Sequence, residues 1–203
     1  MRFLTSLCVV ALWAAPVFSQ ATDPKPEVVP TPDPKTEAVK LRVGAYFWTG
    51  STWQPLQKTA QAGGGLKHVG KMFVPGLTPQ MVWTFRDAQA PVQVADGKPL
   101  LCFKFMPGLE NTPYAPSGRD LAVIKFDEKK DHRELQTSSG GNVFTFKSGI
   151  SKERMPDIEW TGLDHETFIV TPKEPLKPGE YLLTCSSLGM SGYDFGFHEA
   201  KQK

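Results

Sequence analysis

The chain has 203 residues, 40% of them hydrophobic, with 23 Lys and Arg against 21 Asp and Glu. That length and apolar content suit a single domain with a core large enough to do without metals or many disulfides. The near-balance of charge excludes a general nucleic-acid binder, which needs a broad positive field to meet a phosphate backbone.

The chain opens with MRFLTSLCVVALWAAPVFSQA, in which Arg2 supplies a positive charge, an apolar run extends from Leu7 to Ala15, and Ser19 and Ala21 are small residues suited to cleavage. Residues 1–21 therefore read as a signal peptide, with a buried N-terminal strand as the alternative. A membrane anchor needs about 20 apolar residues, and Pro16 interrupts this run first. No later segment is long and apolar enough to span a membrane, so the mature chain is expected to carry no transmembrane segment and to be periplasmic or extracellular. Loss of residues 1–21 removes Arg2 and no acid, leaving 22 basic against 21 acidic side chains.

Residues 22–40 place prolines at 24, 26, 30, 32 and 34 among alternating charges. Proline fixes φ and removes a donor, so this stretch is expected to be a proline-rich, disordered spacer or tail. The remainder, residues 41–199, is expected to form one all-β domain. Its apolar residues alternate with period two over short segments, as in PQMVWTFRD, where Met81, Trp83 and Phe85 share one parity, and in NVFTFKS, with Phe144 and Phe146.

Strands are predicted at Leu41 to Trp48, Trp53 to Gln57, Met72 to Gly76, Pro91 to Ala95, Leu100 to Phe105, Leu121 to Phe126, His132 to Thr137, Ile158 to Thr161, Thr167 to Thr171, Glu180 to Cys185 and Tyr193 to Phe197. Helical periodicity is confined to a short turn at Ser151 to Met155, stopped by Pro156. Gly63 to Gly65 read as a mobile loop. Many short strands broken by Gly, Pro and Asn indicate an antiparallel β-sandwich of two packed sheets, Ig-like or jelly-roll-like, with a partly open barrel as the alternative.

The aromatic segment VGAYFWTGSTWQPL predicts a hairpin with Tyr46, Trp48 and Trp53 near its turn. These rings fit either a half-buried strand face or a contact surface for a sugar or a protein partner. Cys102 and Cys185 remain in the mature chain, and an oxidising compartment leaves both a bridge and two separate thiols open. Parity speaks for separation: Leu101, Phe103 and Phe105 look inward and turn Cys102 the other way, whereas Cys185 shares the inward set of Tyr181 and Leu183.

The run IKFDEKKDHRELQT concentrates charge between Asp127 and Glu134 around His132. It follows the apolar strand LAVIKF and reads as a hairpin tip with an exposed return strand, kept solvated by its charges. His132 and His165 each lie beside carboxylates, but no pair of ligands has the offsets of a zinc site. No nucleophile elbow, HExxH helix or phosphate-binding glycine loop is present. The sequence thus assigns no catalytic, cofactor or metal residue.

The segment IVTPKEPLKPGEYLLTCSSLGMSGYDFGF, together with VGAYFW before WQPLQ and with ELQTSSGG, resembles a group of bacterial exported β-rich proteins of unassigned function. The resemblance covers most of residues 41–197 and implies a signal peptide and a β-rich domain, with no ligand or catalytic residue to carry over. The expectation is a non-catalytic binding or structural module at the cell envelope or outside the cell, meeting an unknown protein or glycan partner and no nucleic acid. The alternative is an exported hydrolase-type enzyme whose site assembles only in space.

Overall fold

Strands of alternating polarity, each too short to bury its apolar face alone, assemble here as three stacked sheets. The computed structural model describes residues 32–67, 80–108, 115, 117–137, 150–188 and 191–199. The strand expected at Met72 to Gly76 and the one around Phe144 and Phe146 lie outside these residues.

Sheet A runs in the order β11 (Ile158–Gly162), β12 (Thr167–Pro172), β7 (Leu101–Lys104), β1 (Gly44–Trp48) and β2 (Trp53–Pro55). Sheet B runs β3 (Gln57–Ala60), β14 (Ser191–Phe197), β13 (Gly179–Cys185) and β8 (Leu121–Lys125), and the short β6 (Gln93–Val94) pairs in parallel with β14. Sheet C runs β4 (Gly63–Lys67), β5 (Gln80–Arg86), β10 (His132–Thr137) and β9 (Asp127–Glu128). Among the described residues all other strand pairs are antiparallel, and no sheet closes into a barrel.

Sheet B is the middle layer. One core joins Leu101, Phe103, Phe168 and Val170 of sheet A to Val123, Leu183, Phe195 and Phe197 of sheet B. A second core joins Ala122, Ile124 and Leu182 of sheet B to Phe85 and Leu135 of sheet C. β13 is consequently buried at every position. The all-β sandwich expected from the period-two pattern is present, with three layers in place of two.

A third apolar cluster, containing Trp53, Cys102 and Ile169, occupies the far face of sheet A and is covered by α1 (Pro34–Val39), whose Ala38 is buried. Proline is tolerated at the first helical position because the amide it lacks would have no intrahelical partner. Asp33 caps the helix by accepting from the Lys35 amide at 3.2 Å and the Thr36 hydroxyl at 2.8 Å. The Trp53 indole then donates to the Pro34 carbonyl at 2.9 Å, and the Lys104 ammonium donates to the Val39 carbonyl at 2.7 Å. The fold therefore begins before Leu41, inside the stretch whose prolines predict a spacer.

Two further expectations are revised. Gly63 to Gly65 are not a loop but the start of edge strand β4, with Gly64 opposite Trp83. A Cβ on Gly64 would stand 3.0 Å from the Trp83 ring, so the missing side chain makes room for the indole. The predicted strand Trp53 to Gln57 is two strands, because the chain leaves sheet A and enters sheet B at buried Leu56. The short turn at Ser151 to Met155 is a 3-10 helix over Lys152–Arg154.

Candidate functional site

Charged groups are stable inside a protein only when they are paired and hydrogen-bonded. Between sheets B and C, Arg133 of β10 and Glu180 and Asp194 of sheet B are 1%, 0% and 2% exposed. Register explains the meeting. Arg133 is paired with Phe85, whose ring enters the core between sheets B and C, so the guanidinium is sent to that side and not to solvent. Arg133 Nη2 lies 2.7 Å from Asp194 Oδ2, while Nη1 is 3.8 Å from Glu180 Oε2. Nε and Nη2 also donate to the carbonyls of Asp87 and Arg86, each at 3.0 Å. Asp87 adopts φ 61, the single positive φ at a non-glycine among the described residues, in a conformation that Asp tolerates better than most side chains. The guanidinium carbon sits 4.9 Å from the centre of the Phe126 ring.

Glu180 is held from its other side. Its carboxylate accepts from the Ala90 amide at 2.6 Å and from the Gln93 amide group at 3.3 Å, and it stands 2.8 Å from His198 Nε2. Burial pushes the Asp194 carboxyl above the usual carboxylate range, against the opposing pull of the Arg133 guanidinium. Two polar atoms of this cluster are buried with no hydrogen-bond partner among the described residues, Arg133 Nη1 and Asp194 Oδ1. Both atoms are closed off from solvent inside the seam, and Nη1 is turned toward Glu180.

Arg133 and Asp194 form the floor of a cleft of about 440 Å³ at the seam where the chain passes from β3 to β4. Its walls include Gln57, Thr59, Gln61 and Asp87. Gln57 is paired directly with Asp194 and Thr59 with Gly192, so both side chains stand on the Asp194 face of sheet B. The arrangement lines one polar opening with the Gln57 amide and the Thr59 hydroxyl above a buried ion pair.

The sequence places Arg133 in a charged run expected to be an exposed return strand. The structure corrects this: the hairpin is β9–β10, and β10 is an inner strand of sheet C with Arg133, Glu134 and Leu135 buried. Solvent charge remains at the tip, where His132 Nδ1 is 2.6 Å from Asp131 and Nε2 is 3.2 Å from Glu134. Hydrogen bonding to Asp131, then to Glu134, raises the His132 pKa above 6.5. Protonated His132 is thus favoured in the folded chain, and its stabilisation is complete below pH 6.5 and lost as pH rises through the higher folded value. Urea denaturation across pH 5 to 9 is expected to show the native chain losing stability over that window relative to His132→Asn, and parallel curves would refute the pairing.

Tyr46, Trp48 and Trp53 do meet, with the two indoles 5.3 Å apart. Trp53 is buried beneath α1 and the other two are half-buried beside it, so the rings belong to the apolar cluster on the far face of sheet A. Cys102 and Cys185 are two separate buried thiols, as their parity predicts: Cys102 lies on the far face of sheet A, and Cys185, on β13 of sheet B, lies in the core between sheets A and B. Burial raises the Cys102 thiol to about 12, an inert value. Among the described residues no three His, Cys, Asp or Glu side chains converge to hold a metal, and no helix is long and apolar enough to cross a membrane.

Sequence reasoning did not single out Glu180 or Asp194. The available signal was an acid at the head of the apolar run EYLL and another inside GYDFGF. Comparison with protein-family models, with curated proteins and with solved structures finds no match to this chain.

Proposed function

We propose that this chain is an exported, non-catalytic binding module, working in the periplasm or outside the cell, whose recognition site is the cleft above Arg133 and Asp194. The observation that carries this reading is a polar cleft of about 440 Å³ built over a buried ion pair, Arg133 with Asp194, and bordered by Gln57, Thr59 and Gln61. A small concave site with a few placed polar groups is the form that specific recognition takes. The proline-rich stretch before Asp33 fits a spacer that gives the domain reach, and resemblance to exported β-rich proteins of bacteria agrees with export.

The test is a nuclear magnetic resonance titration of the protein with a panel of envelope components: sugars, amino acids, cell-wall muropeptides and short peptides. At least one is expected to shift the amide resonances of Gln57, Asp87 and Asp194 saturably. A panel without effect at those positions would end the reading.

The exported hydrolase remains a second reading because Asp194 combines a raised pKa with a place in a cleft, as acid–base groups do. It requires turnover of nitrophenyl esters or glycosides that disappears in a folded Asp194→Asn variant.

A further inference from the structure

A strand at the edge of a sheet leaves every second amide and carbonyl unpaired, and folded chains blunt such edges with proline, brevity, charge or cover. Among the described residues β2 is short and holds Pro55, β9 has two residues, and β8 is buried along most of its length. β11 differs: Glu159, Trp160, Thr161 and Gly162 are all exposed, and its only strand partner among the described residues is β12. Its bonds to β12 run through the odd-numbered residues. The Lys173 amide donates to the Asp157 carbonyl at 2.9 Å and the Leu163 amide to the Thr167 carbonyl at 2.8 Å, and bonded pairs alternate along an antiparallel ladder. The amides and carbonyls of Ile158, Trp160 and Gly162 therefore face outward.

The side chains of Ile158 and Trp160 lie on the sheet B side, because Trp160 is paired with Val170 and Gly162 with Phe168, both in the core between sheets A and B. There they border a cleft of about 790 Å³ whose other walls include Leu121 and Val123 of β8 and Met155. Trp160 is 41% exposed, the only aromatic ring among the large exposed apolar side chains of the described residues. Its position is fixed. A Cβ on Gly118 would come within 2.2 Å of the indole, so the ring lies directly on that glycine, and it meets Phe168 with centroids 6.1 Å apart. A held, exposed indole beside a cleft is a ready anchor for a partner.

We propose that β11 is a docking edge for an extended segment of another protein, which adds to sheet A as a further antiparallel strand. In this mode main-chain bonds supply affinity and pockets for alternate side chains supply specificity. Cross-strand neighbours share a face, so the residues opposite Ile158 and Trp160 enter the cleft and must be apolar. The residue between them stands opposite Glu159 on the exposed far side of sheet A, where a basic side chain complements the carboxylate. The occupant thus reads apolar, basic, apolar. A second copy of β11 does not supply this pattern. Antiparallel self-pairing sets Glu159 against Glu159, or sets two Trp160 rings face to face with Glu159 opposite Thr161, and neither gives the carboxylate a basic neighbour. This edge shares no lining residue with the cleft above Arg133 and Asp194, so either site can fail alone.

Isotope-labelled protein is titrated with the capped peptide Thr-Leu-Lys-Leu-Thr, with its counterpart carrying Glu in place of Lys, and with forms N-methylated at both Leu residues or at Lys alone. The Lys peptide is expected to shift the amides of Ile158, Trp160 and Gly162 and the Trp160 indole saturably. Methylation at Leu removes the donors that face β11 and should abolish binding, whereas methylation at Lys, whose amide faces away, should leave it. Glu159→Lys, an exposed change, should reverse the preference between the Lys and Glu peptides, by up to about fivefold for each. Trp160→Ala should weaken both about tenfold or more while the rest of the spectrum stays folded. Binding that survives methylation of the Leu amides, or no binding by any peptide, overturns the proposal. So does methyl glucoside if it saturates the Trp160 indole where the peptides do not, which would make the ring a sugar platform. A concentration-dependent dimer that shifts the same amides without peptide overturns it as well.

Discussion

Arg133→Ala is expected to destabilise the protein by about 3–5 kcal/mol, because it removes the cation from a buried cluster and leaves its carboxylates behind. Asp194 would lose the guanidinium now 2.7 Å away, and Glu180 would lose the same charge at 3.8 Å. Two backbone carbonyls, those of Arg86 and Asp87, would also lose their donor. For a chain of this size each kcal/mol corresponds to about 2–4 °C, so the melting temperature should fall by roughly 6–20 °C. The control is a charge-free seam: Arg133→Met with Asp194→Leu and Glu180→Gln. Removing a whole buried ion cluster in favour of uncharged groups of similar volume is often neutral or stabilising, and a Gln at position 180 can still accept from the Ala90 amide, so this triple variant is expected to recover most of the loss. Recovery would show that the cluster is not kept for stability, which is what a binding site predicts. A single Arg133→Ala variant as stable as the native chain would show that the pairing contributes nothing.

Phe195→Ala, one residue beyond Asp194 on β14, should cost about as much as Arg133→Ala, roughly 3–5 kcal/mol, for a different reason. Its ring is fully buried between sheets A and B, stacked on Tyr181 with centroids 5.5 Å apart and planes inclined by 18°. Sheet B is covered on both faces, so neither neighbouring layer can collapse freely into the space that the ring vacates. The Tyr181 hydroxyl donates to the Lys177 carbonyl, anchoring the partner ring at the strand entry. Equilibrium urea unfolding of Phe195→Ala, Tyr181→Ala and the double variant should give a coupling of about 0.5–1.5 kcal/mol, the range expected for an aromatic pair. Strict additivity would mean that the stack adds nothing beyond burial.

Asp194 and Phe195, neighbours on β14, divide what was legible from what was not. Phe195 follows from alternation alone: Tyr193, Phe195 and Phe197 share a parity, and the structure places all three against the core between sheets A and B. The same rule separates Cys102 from Cys185 by assigning them to opposite sides of sheet A. It also places Trp83 and Phe85 on one buried face. By that rule Asp194, Glu180 and Arg133 are assigned to solvent, since alternation describes a sheet with one buried and one wet face. A hint of the contrary lay in β8 and β13, where Leu121, Ala122, Val123 and Ile124 run without a polar break and Leu182 follows Tyr181. Continuous apolar runs mark strands buried on both sides.

What residues 32 to 199 determined by themselves is local: which segments are strands, which parity is apolar, and where Gly and Pro break the chain. Such properties depend on backbone sterics and on side chains two positions apart, and neither requires knowledge of distant partners. The third layer, the crossing of the chain at Leu56 from sheet A to sheet B, and the encounter of Arg133 with Asp194 were decided only by tertiary packing. A carboxylate reads as a surface group until another sheet is laid over it, and that covering sheet comes from a part of the chain about 60 residues away. Burial then turns an ordinary charged residue into a paired one, set beneath a polar cleft that neither sheet forms alone.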